Sequence, residues 1–179
     1  MHLTAFLIER RSAIVKRWRD ALFESYEPEG RDFLRRQKDP FSNPVGTTLS
    51  GELEAVYDHL VSGGSAEDIA ACLDRIIRIR AVQDFSPSKA LAFLIQLKPV
   101  IRKELQGAKS AGAAASAELL EVEDRIDALA LQGFDVYTAC RQHLNELRVR
   151  EIRNEVGKLL ERANARYAAS DRQVSDTTA

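Results

Sequence analysis

Near the end of the chain, Leu119, Val122, Ile126, Leu129, Ala130, Gly133, Tyr137, Cys140, Leu144 and Leu147 recur at spacings of mostly three and four. Such a stripe is the buried face of a helix, and a face this long needs other elements to cover it. A second stripe, Val149, Ile152, Val156, Leu159 and Ala163, is rotated from the first by about two residues and so faces another direction. Unbroken helix from Ser116 to Tyr167 would be about 78 Å long at about 1.5 Å per residue, whereas a compact chain of this size has a radius of gyration near about 16 Å. The helix is therefore expected to break, for instance near Gly157, or to protrude over 149–167. Its second face, through Val149, Ile152, Val156 and Leu159, is expected to make a homodimer or to form the stub of a signalling helix.

The remaining segments carry the same period. Leu3, Leu7, Ile14, Trp18 and Leu22 outline a first helix closed by Glu27, Pro28, Glu29 and Gly30, and Arg31 to Arg36 add a short turn with Phe33 and Leu34. The basic cluster Arg10, Arg11, Lys16, Arg17 and Arg19 is interleaved with Glu9, Asp20 and Glu24, the pattern of a solvated face. Leu49, Leu53, Val56 and Leu60 stripe a second helix that Thr47 or Thr48 can cap and Gly63-Gly64 ends. Ser65 and Asp68 resemble a capping box for a third helix, whose buried face is Ile69, Leu73, Ile76 and Ile77. A fourth runs from Pro87 toward Leu105, with apolar residues around much of its circumference and a kink expected near Lys98, because Pro99 removes a backbone donor. The Gly-rich run from Gln106 to Ser116 reads as a connector, and 168–179 as a flexible tail after a domain of 1–167.

Two short segments interrupt the helices. In Asp39-Pro40-Phe41-Ser42-Asn43-Pro44, each proline pushes the residue before it out of helical geometry, so an ordered loop is expected. Phe41 is expected to plug into the core, with a partner-docking or ligand-gating role for the loop as the alternative. The second interruption is the corner Gln83-Asp84-Phe85, followed by Ser86 as a cap and Pro87 at the first helical position. Arg78, Arg80, Ser86, Ser88 and Lys89 bring positive charge and hydroxyls to that helix start, an arrangement able to hold an anion, while Asp84 can supply the negative charge internally.

These two segments, Lys38 to Gly46 and Arg78 to Pro87, resemble the RsbRD amino-terminal domain family, and the likeness extends from about Leu7 to about Ile152. The family is named for co-antagonists of a switch kinase in bacterial stress signalling. The resemblance implies a helical sensory or regulatory domain, often joined to a phosphoacceptor module or a histidine kinase, and no such output domain is expected within these 179 residues. Together with the anion reading of the helix start, it makes Arg78, Arg80, Gln83, Asp84, Ser86, Lys89, Phe41 and Asn43 the candidate ligand- or partner-binding residues.

Composition narrows the function classes. A formal net charge of −1 supplies no basic field for nucleic acid or acidic lipid. Two cysteines, Cys72 and Cys140, make no disulfide framework and suit a reducing cytoplasm, and the amino terminus does not read as a signal peptide. The most apolar window, Ala90 to Ile101, is too short to span a bilayer. Cys140 and His143, with Cys72 and His59, are the residues a metal site would have to use, and His59 is the candidate for a haem, but Cys140 belongs to the core stripe and paired-cysteine spacings are absent. No metal or cofactor is expected. No phosphate loop, nucleophile elbow or zinc-protease pair occurs, and the acids Glu121, Asp124, Glu123 and Asp127 lie on the polar face of the last helix, so no enzyme is expected. The chain therefore reads as one all-α bundle of five or six helices, with globin-like crossings as one arrangement, ending in a long helix. Its expected role is a cytoplasmic, non-catalytic sensory or regulatory domain that works through protein contacts and dimerises. The alternative is a small-molecule or cofactor carrier, or an accessory subunit of a redox or metabolic complex.

Overall fold

A computed structural model describes residues 2–37, 39–107 and 113–177, and the side chains of all of these except 113–116 and 167–177. Every regular element among them is an α-helix: α1 (Leu3–Glu9), α2 (Arg11–Glu24), α3 (Pro28–Arg36), α4 (Pro44–Ser62), α5 (Ala66–Val82), α6 (Pro87–Gly107) and α7 (Ala113–Thr177). Packing divides the chain into two units, Met1–Cys140 and Arg141–Ala179.

The all-α reading holds, with seven helices in place of five or six. Two local events raise the count. The first predicted helix is interrupted at Arg10, where φ is −91° and ψ 7°. Directly after the interruption the Arg11 guanidinium pairs two-pronged with Asp58 of α4, at 2.5 and 2.7 Å. The expected turn at Arg31–Arg36 grows into α3 because Pro28 occupies the first helical position, Glu29 lies in the first turn and Arg35 and Arg36 in the last, each charge opposing the helix dipole. Two other helix starts and stops follow the sequence closely. The Ser65 hydroxyl accepts from the Asp68 N–H at the start of α5, and Gly63 closes α4 at φ 75°, a conformation that suits glycine. α6 stays helical through Pro99 and α7 through Gly157 to Thr177. The centre of the expected connector, 108–112, and the last two residues of the expected tail lie outside the described residues.

In the first unit the predicted stripes meet in one core. Leu49, Leu53, Val56 and Leu60 of α4 are buried with Leu73, Ile76 and Ile77 of α5 and Phe93, Leu94, Leu97 and Ile101 of α6. Trp18 of α2 sits at the centre, fully buried and stacked on Phe93 with ring centroids 6.0 Å apart. Its indole N–H donates to the Phe93 carbonyl at 2.6 Å, so the one polar atom of the ring keeps a partner. Tyr57 does the same from α4, donating to the Leu7 carbonyl at 2.9 Å. From α7, Ile126, Leu129 and Tyr137 enter the core, and Gly133 lets the helix come close: a Cβ there would stand 3.0 Å from Leu91 and 3.2 Å from Leu94. Ion pairs ring this core, among them Arg75 with Glu52, Arg102 with Glu123 and Lys98 with Asp127.

Described by itself, the second unit is a helical segment most of whose large apolar side chains are open, Leu144 being half-buried. Val149, Ile152, Val156, Leu159 and Leu160 are 47 to 61% exposed. Among the described residues no helix is long and apolar enough to cross a membrane.

Candidate functional site

The corner between α5 and α6 is held from inside by Arg80. Position 80 falls on the same helix face as Leu73, Ile76 and Ile77, and its side chain is fully buried. The guanidinium donates to the carbonyls of Ala90 (2.9 Å) and Lys89 (2.7 Å) in the first turn of α6, and to the Ser25 hydroxyl (2.8 Å) just past α2. It lies over the rings of Phe85, Tyr26 and Phe93, at 4.4, 5.3 and 5.8 Å. Burial pulls the guanidinium below its ordinary value and pushes the Tyr26 phenol up. Gln83 accepts from the Tyr26 hydroxyl at 2.8 Å, Tyr137 donates to the Phe85 carbonyl at 2.5 Å, and Asp84 takes the left-handed conformation at φ 63°. Three helices are thus tied at one corner through a single cation.

The other corner candidates point outward. Arg78 pairs with Asp74 at 2.6 Å, the i,i+4 pair read from the sequence. Ser86 and Ser88 face each other at 3.3 Å between hydroxyl oxygens, while the Lys89 N–H meets the Ser86 hydroxyl at 3.4 Å. Lys89 is exposed. Arg78 and Arg80 therefore serve different partners, one on the surface and one in the core.

The second site is the loop before α4. Asn43 is 2% exposed and its amide makes three hydrogen bonds, with both N–H donors used. Its Nδ2 donates to the carbonyls of Leu34 (3.3 Å) and Gln37 (2.9 Å), which end α3, and its Oδ1 accepts from the Gly46 N–H (2.8 Å), which begins α4. One side chain thus caps two helices. Gly46 makes room for it: a Cβ there would lie 2.3 Å from Asn43 Nδ2. On the outer side, the Asp39 carboxylate accepts from the Ser42 hydroxyl (2.6 Å) and N–H (2.9 Å), bonds that hold it below the usual carboxylate range. The Asn43 N–H closes the turn onto the Asp39 carbonyl at 2.9 Å.

This frame overturns the expectation for Phe41. The turn carries its ring away from the protein, 97% exposed, while Leu34 and Val45 pack against the core in its place. The prolines fix the loop as anticipated, but its direction is set by the Asp39–Ser42 and Asn43 bonds, which apolar patterning does not register.

Among the described residues no three His, Cys, Asp or Glu side chains stand close enough together to hold a metal. Cys72 is buried, and burial pushes its thiol up. His59 does occur at a cavity, an open cleft of about 390 Å³ that it lines with Arg125 and Gln132 beside the Gly63-Gly64 turn. The sequence marked His59 and the two glycines separately. That Arg125 and Gln132 join them could be read only once α7 was placed over α4 and α5.

A family model described as the RsbT co-antagonist protein rsbRD N-terminal domain matches residues 12–152. No curated protein and no solved structure gives a match.

Proposed function

Since the chain belongs to the family of the RsbT co-antagonist protein rsbRD N-terminal domain, we propose that it is a non-catalytic sensory or regulatory domain of bacterial stress signalling that acts through protein–protein contacts. The observation that carries this reading is Phe41. A phenyl ring left 97% in water, on a turn whose own hydrogen bonds are complete, loses little freedom when a partner covers it. Its burial contributes about 1.5 to 3 kcal/mol to an interface. Aromatic anchors of this kind dominate protein interfaces. The free thiols of Cys72 and Cys140 suit a cytoplasmic setting.

We assign the open face of the second unit, Val149, Ile152, Val156 and Leu159, to a second copy of the chain, since their three-and-four spacing makes one seam. Changing Val156 and Leu159 to Asp should give a monomer with an unchanged first unit, read by sedimentation and circular dichroism. A dimer that persists removes this assignment.

The contact reading is tested by comparing the tagged full-length protein with its Phe41→Ser variant in capture from the native cytoplasm. Partners held by the wild type and lost by a variant of equal thermal stability support it. Equal recovery by both proteins refutes it.

A further inference from the structure

We propose that the cleft between the end of α4, the start of α5 and α7 is a ligand site for a small organic monocarboxylate with an apolar body. Its volume of about 390 Å³ falls in the range of small-molecule sites. The floor is apolar: Leu60 and Leu129 are buried in the core, and Ile69 is packed against it. At the rim stand three nitrogen-bearing side chains, His59, Arg125 and Gln132.

Arg125 supplies the argument for charge. Most other arginines of this unit are neutralised by carboxylates, as Arg11 by Asp58, Arg75 by Glu52, Arg78 by Asp74 and Arg102 by Glu123, while the buried Arg80 is held by carbonyls and the Ser25 hydroxyl. Among the described residues Arg125 has no such partner. Glu121, one turn earlier on α7, lies with it along a second, smaller hollow, but no ion pair joins the two. Glu118, a turn earlier still, is taken by His2 and the Leu3 N–H. An unpaired guanidinium beside an apolar floor offers two parallel N–H donors, and a carboxylate is the anion whose planar geometry matches them. Arg125 is the one arginine or lysine that lines the cleft, so a monoanion balances it. Gln132 adds a neutral donor, and an apolar tail would cover Leu60, Ile69 and Leu129.

The Gly63-Gly64 turn keeps the rim open. Gly63 holds the left-handed conformation, and a Cβ on Gly64 would fall 2.3 Å from Nδ1 of His59. The histidine ring therefore rests against the turn backbone in space that any other residue at position 64 would contest.

This names a ligand class for the sensory reading above and rests on that reading only for its consequence. The binding test does not involve Phe41 or any partner, so the two fail separately. The probe is octanoate, titrated calorimetrically into the full-length protein, with 1-octanol as the uncharged counterpart. One equivalent of octanoate should bind. Arg125→Gln, at an exposed position, should leave the fold intact and weaken octanoate at least tenfold, since a charge-assisted pair is lost. Octanol should bind the wild type at least tenfold more weakly than octanoate and be indifferent to Arg125→Gln. Ile69→Trp should block both ligands by filling the floor. Absence of octanoate binding at millimolar concentration, equal binding of octanoate and octanol, or octanoate binding that ignores Arg125→Gln would each overturn the proposal.

Discussion

Truncating Arg80 to alanine tests whether the buried cation holds the corner or is merely tolerated there. Three contributions compete. Removing the side chain leaves a void of about 85 Å³, which at about 24 cal/mol per Å³ costs about 2 kcal/mol. Losing donors to Ala90, Lys89 and Ser25 costs about 1 kcal/mol each, or about 3 kcal/mol together. Against this, the variant no longer has to desolvate a guanidinium that has no carboxylate beside it, a relief of about 2 kcal/mol once water penetration and the three aromatic faces are counted. The expected net loss for Arg80→Ala is about 3 kcal/mol, and for Arg80→Met, which refills the void without charge, about 1 kcal/mol. Urea unfolding followed by circular dichroism reads both values, with the slope of the transition confirming that the unfolded state is unchanged. If Arg80→Ala lies within about 0.5 kcal/mol of the wild type, the tether is not holding the three helices and the reasoning fails. If the methionine variant falls as far as the alanine one, the hydrogen bonds matter and the filled volume does not.

Asn43→Ala removes the cap from α4 and the donors to the end of α3, so thermal or urea melts should show a loss of about 2 kcal/mol. Tyr137→Phe deletes only the bond to the Phe85 carbonyl and should cost about 0.5 to 1.5 kcal/mol in the same melts. Asp58 is held below the usual carboxylate range by its bond to Arg11, so its contribution is present above the unfolded value near about 4 and is lost as the pH falls through the lower folded value. The stability gap between the wild type and Asp58→Asn should therefore be constant from pH 7 to about 5 and close on further acidification, and a gap that widens in acid would contradict the pairing.

The stripes, the Ser65 cap, the Gly63 stop and the Pro87 start could all be read from the chain because each is a local rule: a period, a hydroxyl or a φ preference. The interruption at Arg10 could not, since it accompanies the pairing of the next residue, Arg11, with Asp58, forty-seven positions away. Arg80 was not legible as a core residue: it reads with Arg78 as part of a surface able to hold an anion, although its position shares the Leu73–Ile77 face, because a charge on a stripe reads as surface until Tyr26, Phe85 and Phe93 are seen to enclose it. Phe41 was misread for the converse reason: hydrophobicity predicts burial, while the polar bonds of its neighbours decide where the turn points. The cleft beside Gly64 joins residues from α4, α5 and α7, so no window of sequence contains it.

The loop at Asp39–Asn43 separates two tasks that most surfaces combine. The bonds that shape it come from residues 34, 37, 39, 42, 43, 46 and 47 and from the backbone at 41, and none from the side chain at 41. Position 41 is therefore a display point: a substitution there changes what the loop presents to solvent without altering the frame that presents it.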